Sequence, residues 1–159
     1  MRIGILAIGR LKDAAERDLV GRYLDRARAP GRQLGFSGFE VIEIAESRAA
    51  RSPDRKAEEA AQIRAKVADA VVIALDEGGS SPGSETFASG LARRRDSGCR
   101  GLWMVIGGAD GLDPTFLNSA QERIGFGRMT LPHQIVRVLV AEQLYRAMTI
   151  LSGHPYHRA

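Results

Sequence analysis

Ala70-Val71-Val72-Ile73-Ala74-Leu75 is apolar at every position, so as a strand it needs cover on both of its faces. A strand alternating polar and apolar residues could leave one face in water. This one requires a layer on each side, and the rest of the chain reads as a supply of such layers. Arg2 to Ile8 is a second buried strand, closed by Gly9, and Asp13 to Arg28 carries Leu19, Tyr23 and Leu24 at helical spacing. Ala29-Pro30-Gly31 and Gly35 to Gly38 read as a loop before a strand at Glu40 to Ala45. Asp54 to Val67 is an Ala-rich, charged helix whose residues are mostly solvated.

Asp76-Glu77-Gly78-Gly79 and Ser80-Ser81-Pro82-Gly83 then read as one long turn, with Ser84 as N-cap of a helix to about Arg95. Gly101 to Ile106 is a fourth strand, Asp113-Pro114 caps a short helix, and Ile124 to Leu131 offers a fifth strand containing Gly125 and Gly127. Pro132 precedes the longest helix, about His133 to Leu151, which Gly153 stops. Strands alternating with helices specify an α/β domain with a largely parallel sheet and helices on both faces. At 159 residues and 44% hydrophobic content, residues 1–159 are expected to form a single domain.

Several classes of function fall away on inspection. No apolar run approaches the roughly 20 residues needed to cross a bilayer, and Ile3 to Ile8 after Met1-Arg2 is too short for a signal peptide. Cys99 is the single cysteine, which excludes an internal disulfide, fits a reducing cytoplasm and reads as structural rather than nucleophilic. His133, His154 and His157 have no supporting Cys or carboxylate cluster, so no metal site is expected. Phosphate-loop, nucleophile-elbow and zinc-protease motifs are missing, as is a dinucleotide fingerprint after the first strand. The net charge is +4, and of 23 basic residues only Lys12, Lys56 and Lys66 are lysine. The arginine excess suits contact with phosphate, or reflects a biased genome composition. The Arg93-Arg94-Arg95 run is either a solvated helix end or an RNA contact.

Two constellations remain. The segments Leu75 to Gly79, Ile106 to Gly111 and Gly125 to Pro132 are glycine-rich and follow or occupy predicted strands, so a parallel sheet gathers them along the edge where open α/β folds bind ligands. Glycine there lets a ligand approach the main chain closely. The second constellation is the last helix, where Arg137, Glu142, Tyr145 and Arg146 interrupt a buried-looking segment and a tail of His154, Pro155, Tyr156, His157 and Arg158 follows. Buried charges need partners, either Glu142 with Arg146 at i, i+4 or groups across a subunit interface. A tail of this composition is disordered or is ordered by a ligand.

Read together, Ile106-Gly107-Gly108-Ala109-Asp110-Gly111, Leu131-Pro132-His133-Gln134-Ile135-Val136-Arg137, Ala141-Glu142-Gln143-Leu144-Tyr145-Arg146-Ala147 and His154-Pro155-Tyr156-His157-Arg158 resemble a known family. It is the ribosomal RNA large subunit methyltransferase H family, small bacterial SPOUT-class enzymes that methylate N3 of a pseudouridine in 23S ribosomal RNA. The resemblance runs from the first strand to the C-terminus and is most specific after residue 102. It implies a C-terminal trefoil knot, an exception to the rule against threaded chains. It also implies a cytoplasmic homodimer, S-adenosylmethionine as cofactor, no membrane and no metal. Carried over by motif, Leu75, Gly108, Gly127, Arg128, Met129, Thr130, Leu131 and Pro132 would contact the cofactor. The family often has Lys where this chain has Gly79, which leaves one basic contact in doubt.

Methyl transfer to N3 must dispose of an imide proton. The candidates are His133, which alternatively caps its helix, and the tail residues Tyr156, His157 and Arg158, with the tail favoured and direct loss to water left open. Arg137 and Glu142 are assigned to cross-subunit organisation of the site, with Arg146 and His154 as further substrate or dimer contacts. Lacking an appended RNA-binding domain, such a protein would read its target through the dimer surface and the assembled ribosome, after a pseudouridine synthase has acted. Two other readings are a non-catalytic nucleotide-binding or ribosome-associated factor on the same scaffold and an enzyme of phosphorylated metabolites using the Asp113-Pro114 helix as anion site.

Overall fold

Alternate residues of the strands point to opposite faces, and two separate apolar clusters form as a result. The computed structural model describes residues 1–157. Strands β1 (Arg2–Ile8), β2 (Ser37–Ile44), β3 (Val71–Ser80), β4 (Gly101–Ile106) and β5 (Glu122–Ile124) lie parallel in one sheet, ordered β2-β1-β4-β3-β5. Helices α1 (Ala14–Gln33), α3 (Ser84–Asp96) and α5 (His133–Ser152) cover the face that carries Ile3, Ile5, Ile73, Leu102 and Met104. On the other face, α2 (Ser52–Val67) and α4 (Pro114–Ser119) cover Leu6, Ile8, Val72, Ala74 and Trp103. The fold is therefore α/β with helices on both faces, as the patterning requires.

Local signals hold where they are local. Asp13 caps α1 by accepting from the Ala15 amide at 2.7 Å, Asp113 caps α4 by accepting from the Phe116 amide at 3.0 Å, and Gly153 ends α5 at φ +70°. The departures come from packing. α1 does not stop before Ala29-Pro30-Gly31 but continues to Gln33, because Gly31 lies flat against the buried Phe39 ring; a Cβ there would sit 2.5 Å from Phe39 Cε2. β2 begins at Ser37, ahead of the expected Glu40, through a bulge opposite Ile3 and Gly4 in which Gly38 has φ +89° and Phe39 turns into the core. Ser84 is not a cap. Gly83 holds that position, and the Ser84 hydroxyl donates to Gln143 Oε1 at 2.9 Å, tying α3 to α5.

β3 runs on through Asp76 to Ser80, residues expected as a turn, while β5 shrinks to Glu122–Ile124 and the 125–132 segment is a loop. The arginine run at the end of α3 is largely committed to the fold. Arg94 pairs with Glu122 at 2.5 Å, and Arg95 donates to the Leu34 carbonyl and stacks 5.1 Å from the Phe36 ring centre. Cys99 is half-buried with its thiol 3.2 Å from the Gly101 carbonyl. Among the described residues, no helix is long and apolar enough to cross a membrane.

Helix propensity favours Ala over Gly by about 1 kcal/mol, whereas forcing a methyl into a packed core costs about 1–3 kcal/mol. Gly31→Ala is therefore expected to lower stability despite its helical position, and urea unfolding of the two proteins decides the sign.

Candidate active site

Where β3, β4 and β5 end, the sheet opens into a cleft of about 540 Å³. That volume lies within the usual range for a small-molecule site, at the edge of a parallel sheet where such sites form. Two glycines make the first wall. A Cβ on Gly79 would lie 2.7 Å from the Ile124 main chain, and one on Gly125 would lie 2.6 Å from the Asp76 carbonyl oxygen. The prolonged β3 and the chain leaving β5 thus pass in main-chain contact, joined by the Gly125 amide donating to the Ser80 carbonyl at 2.8 Å. Side chains at these positions would force the two apart.

The second wall is the turn after β4, closed by the Gly111 amide on the Gly108 carbonyl at 3.0 Å, with Gly111 at φ +79°. The third is the 125–132 segment, held to β3 by the Thr130 hydroxyl donating to Glu77 Oε2 at 3.2 Å. Of the residues assigned to the cofactor, Leu75, Gly108, Gly127, Met129, Thr130 and Leu131 line the cleft. Arg128 and Pro132 are not among the lining residues; Pro132 holds the N-cap position of α5, its carbonyl accepting from the Val136 amide. His133 makes no capping hydrogen bond and lines the cleft. Lys56 of α2, with Pro114 and Leu117 of α4, also lines it. No local pattern marks those three, because only the stacking of α2 and α4 on the sheet brings them there.

Beside the second wall lies a buried carboxylate. Glu59 is 6% exposed and accepts from the Ser47 amide at 2.9 Å, and a Cβ on Gly108 would stand 3.8 Å from its other oxygen. Burial, with Glu46 and Asp110 adding to it, pushes the Glu59 carboxyl above its ordinary range, against the opposing Ser47 amide and Arg55.

The described part of the tail, His154 to His157, packs back along α5 and is not among the residues that line this cleft. The Tyr156 hydroxyl donates to Glu142 Oε1 at 3.1 Å, its ring lies 4.6 Å from that of Tyr145, and the Arg146 guanidinium sits 5.0 Å from its centre. Burial, reinforced by Glu142, pushes the Tyr156 phenol up to about 12, so near neutrality it is a hydrogen-bond donor and not a base. Glu142 receives Arg146 through Nε at 2.9 Å and Nη2 at 2.6 Å, the i, i+4 pairing. His154 is exposed and accepts the Tyr156 amide, while His157 Nε2 lies 3.5 Å from Glu85 and its Nδ1 is buried with no hydrogen-bond partner among the described residues. Arg158 lies outside the described residues.

Arg137 is not paired with Glu142. It is fully buried within its own chain, donating from Nη1 to Glu43 Oε1 at 2.6 Å and from Nη2 to the Gly9 carbonyl at 3.1 Å. Glu43 also accepts the Leu11 amide, so one ion pair fastens α5 to the ends of β1 and β2. Burial lowers the affinity of Arg137 for its proton and Glu43 opposes that effect. The Asp113-Pro114 helix end is likewise taken: Asp113 satisfies the Phe116 amide and receives the Thr115 hydroxyl, leaving its own negative charge where an anion would sit.

Two expectations follow. Removing Arg137 while leaving Glu43 one-third exposed should cost about 3 kcal/mol, the low end for a broken buried pair, so Arg137→Ala should show that loss in urea unfolding. A carboxyl whose native pKa is raised binds its proton more tightly folded than unfolded, so its contribution is most favourable below the unfolded value of 4.5 and declines as pH rises through the native value. Glu59→Gln should therefore raise the melting temperature at pH 7, with the gain vanishing below pH 4.5.

Comparison with known proteins places this chain in a family. A family model described as "Predicted SPOUT methyltransferase" matches residues 1–157. The chain is 55% identical over 160 residues to "Ribosomal RNA large subunit methyltransferase H" of Rhizobium meliloti (strain 1021), covering 100% of both chains. It is 52% identical to the protein of the same name from Beijerinckia indica subsp. indica, again over 100% of both. A solved structure titled as a putative RNA methyltransferase from Bacillus anthracis shares the fold at TM-score 0.51 and 11% identity, over 99% of this chain and 98% of that one. SPOUT methyltransferases use S-adenosylmethionine, and a cleft walled by glycine main chain and by Leu75, Ile106 and Leu131 fits a nucleoside bound through backbone groups and apolar contacts. The match over residues 1–157 and the identity over the full chain agree: the chain belongs to the SPOUT methyltransferases, in the ribosomal RNA large subunit methyltransferase H family.

Proposed function

We propose that this protein methylates N3 of a pseudouridine in 23S ribosomal RNA on the assembled ribosome, as a cytoplasmic homodimer. The observation that carries the reading is the cleft: three glycine-rich walls on the β3–β5 edge, in a chain that matches named ribosomal RNA methyltransferases from end to end. When bound, S-adenosylmethionine supplies an electrophilic methyl group on a sulfonium. Leu75, Ile106 and Leu131 provide apolar contact, and the main chain of Gly107, Gly108 and the 127–131 segment provides donors and acceptors. Asp76, Glu77 and Asp110 also line the cleft, and their charge favours a cationic ligand there.

The chain's own task is to hold two reactants in line and to receive the N3 proton. His133 lines the cleft and can accept a proton from a base seated there. Tyr156 stays protonated and donates a hydrogen bond, beside the Arg146 cation that Glu142 orients. His157 and Arg158 complete the tail's contribution, with His154 turning the chain into it. Because the described tail stays outside its own chain's cleft, the reading has it serve the cleft of a partner subunit. Exposed apolar side chains beside the cleft support pairing there: Phe126 is 37%, Met129 81% and Ile135 39% exposed. Contact between β3 and the chain after β5, just before α5 begins, is compatible with the trefoil threading of this family.

The test is transfer of a tritiated methyl group from S-adenosylmethionine to ribosomes lacking the modification, set against protein-free 23S RNA. Label at a pseudouridine N3 in ribosomes alone is the expected result. Folded, dimeric protein that labels neither substrate would reduce it to a binding factor.

A further inference from the structure

Arg55 does not line the cleft, yet it makes more directed contacts than most surface arginines of this chain. From α2, its Nε donates to Asp110 Oδ2 at 2.7 Å and its Nη1 donates to the carbonyls of Ala49 and Ala50, each at 3.0 Å. Asp110 belongs to the Gly107–Gly111 turn, which forms one wall of the cleft. Three glycines in five residues give that turn a larger backbone entropy to lose on ordering than side-chain-bearing residues would. The bridged loop on the opposite side is itself anchored, since the Ser47 amide donates to the buried Glu59. One planar guanidinium therefore connects the glycine turn, whose own closure is the Gly111–Gly108 hydrogen bond, to an anchored loop.

We infer that Arg55 is a positioning residue for the cofactor site: by fastening Asp110 it holds the Gly107–Gly111 main chain in the shape that receives the ligand. This rests on the cofactor reading of the cleft given above. The two side chains are 28% and 34% exposed, so the pair adds little to global stability. Its effect lies in preorganisation, because a turn already ordered loses less entropy on binding. Lysine could keep the charge but not the three simultaneous donations from one rigid plane.

The experiment is S-adenosylhomocysteine titration by calorimetry on full-length wild type, Arg55→Ala, Arg55→Lys, Asp110→Asn and the Arg55→Ala/Asp110→Asn double variant, with melting temperatures alongside. Releasing about one residue's worth of backbone order corresponds to roughly ten-fold weaker binding. Arg55→Ala and Asp110→Asn should each show that loss, the double variant no more than either, and Arg55→Lys a partial recovery, with little change in melting temperature. In the methyl-transfer assay Arg55→Ala should raise KM for the cofactor and leave kcat unchanged. Wild-type binding with undiminished binding by both single variants would overturn the clamp alone, as would losses that multiply in the double variant. Wild-type protein that fails to bind would overturn the cofactor reading and this inference with it.

Discussion

At the C-terminal edge of the sheet two stretches of main chain pass with no room for a side chain between them, at Gly79 against Ile124 and at Gly125 against Asp76. That crossing is what the cleft at that edge is arranged around. It keeps β3 extended five residues past its apolar core and directs the chain leaving β5 along the mouth of the cleft. It also sets where α5 starts, and thereby places His133 and Val136 at the site. The contact is steric, so its requirement is simple: any Cβ there must displace main chain, which cannot yield as a flexible side chain would.

α5 then transmits the placement of that edge to the rest of the chain. Its first turn borders the cleft, its second sinks Arg137 onto Glu43 and the Gly9 carbonyl, and its middle carries the Glu142, Tyr145 and Arg146 group on which the tail folds. The polar residues that look misplaced in an apolar helix are thus accounted for by two different partners. Arg137 is structural and buried, where an uncompensated charge would be costly. Glu142 works at the half-buried surface, gathering Arg146, Gln143 and Tyr156 around one carboxylate.

Much of this could be read without coordinates, and the misses share a cause. The strand cores, the cap at Asp113 and the stop at Gly153 depend on neighbours within four residues, and each was legible; that Asp13 caps α1 came only with the structure. Pro30 inside α1 was not, because what keeps that helix going is Gly31 on Phe39 and the fit against α5. The length of β3 was not, because Gly78 and Gly79 read as a turn until the chain beyond Ile124 is laid beside them. Most of the residues lining the cleft were named from motifs, while Lys56, Pro114 and Leu117 come from helices whose sequences give no hint of it.

The amino-acid pattern by itself determined the class of fold, since an all-apolar strand demands two covering layers, and it determined which glycine segments meet at the ligand edge. Its motifs also determined the family. The i, i+4 spacing offered Glu142 to Arg146, but tertiary structure alone decided the long-range partners. Arg137 finds Glu43 across 94 residues and Thr130 finds Glu77 across 53, and separations of that order carry no local period to read. It also decided that β3 outlasts β5, because strand length there follows from backbone approach at glycine and not from hydrophobicity.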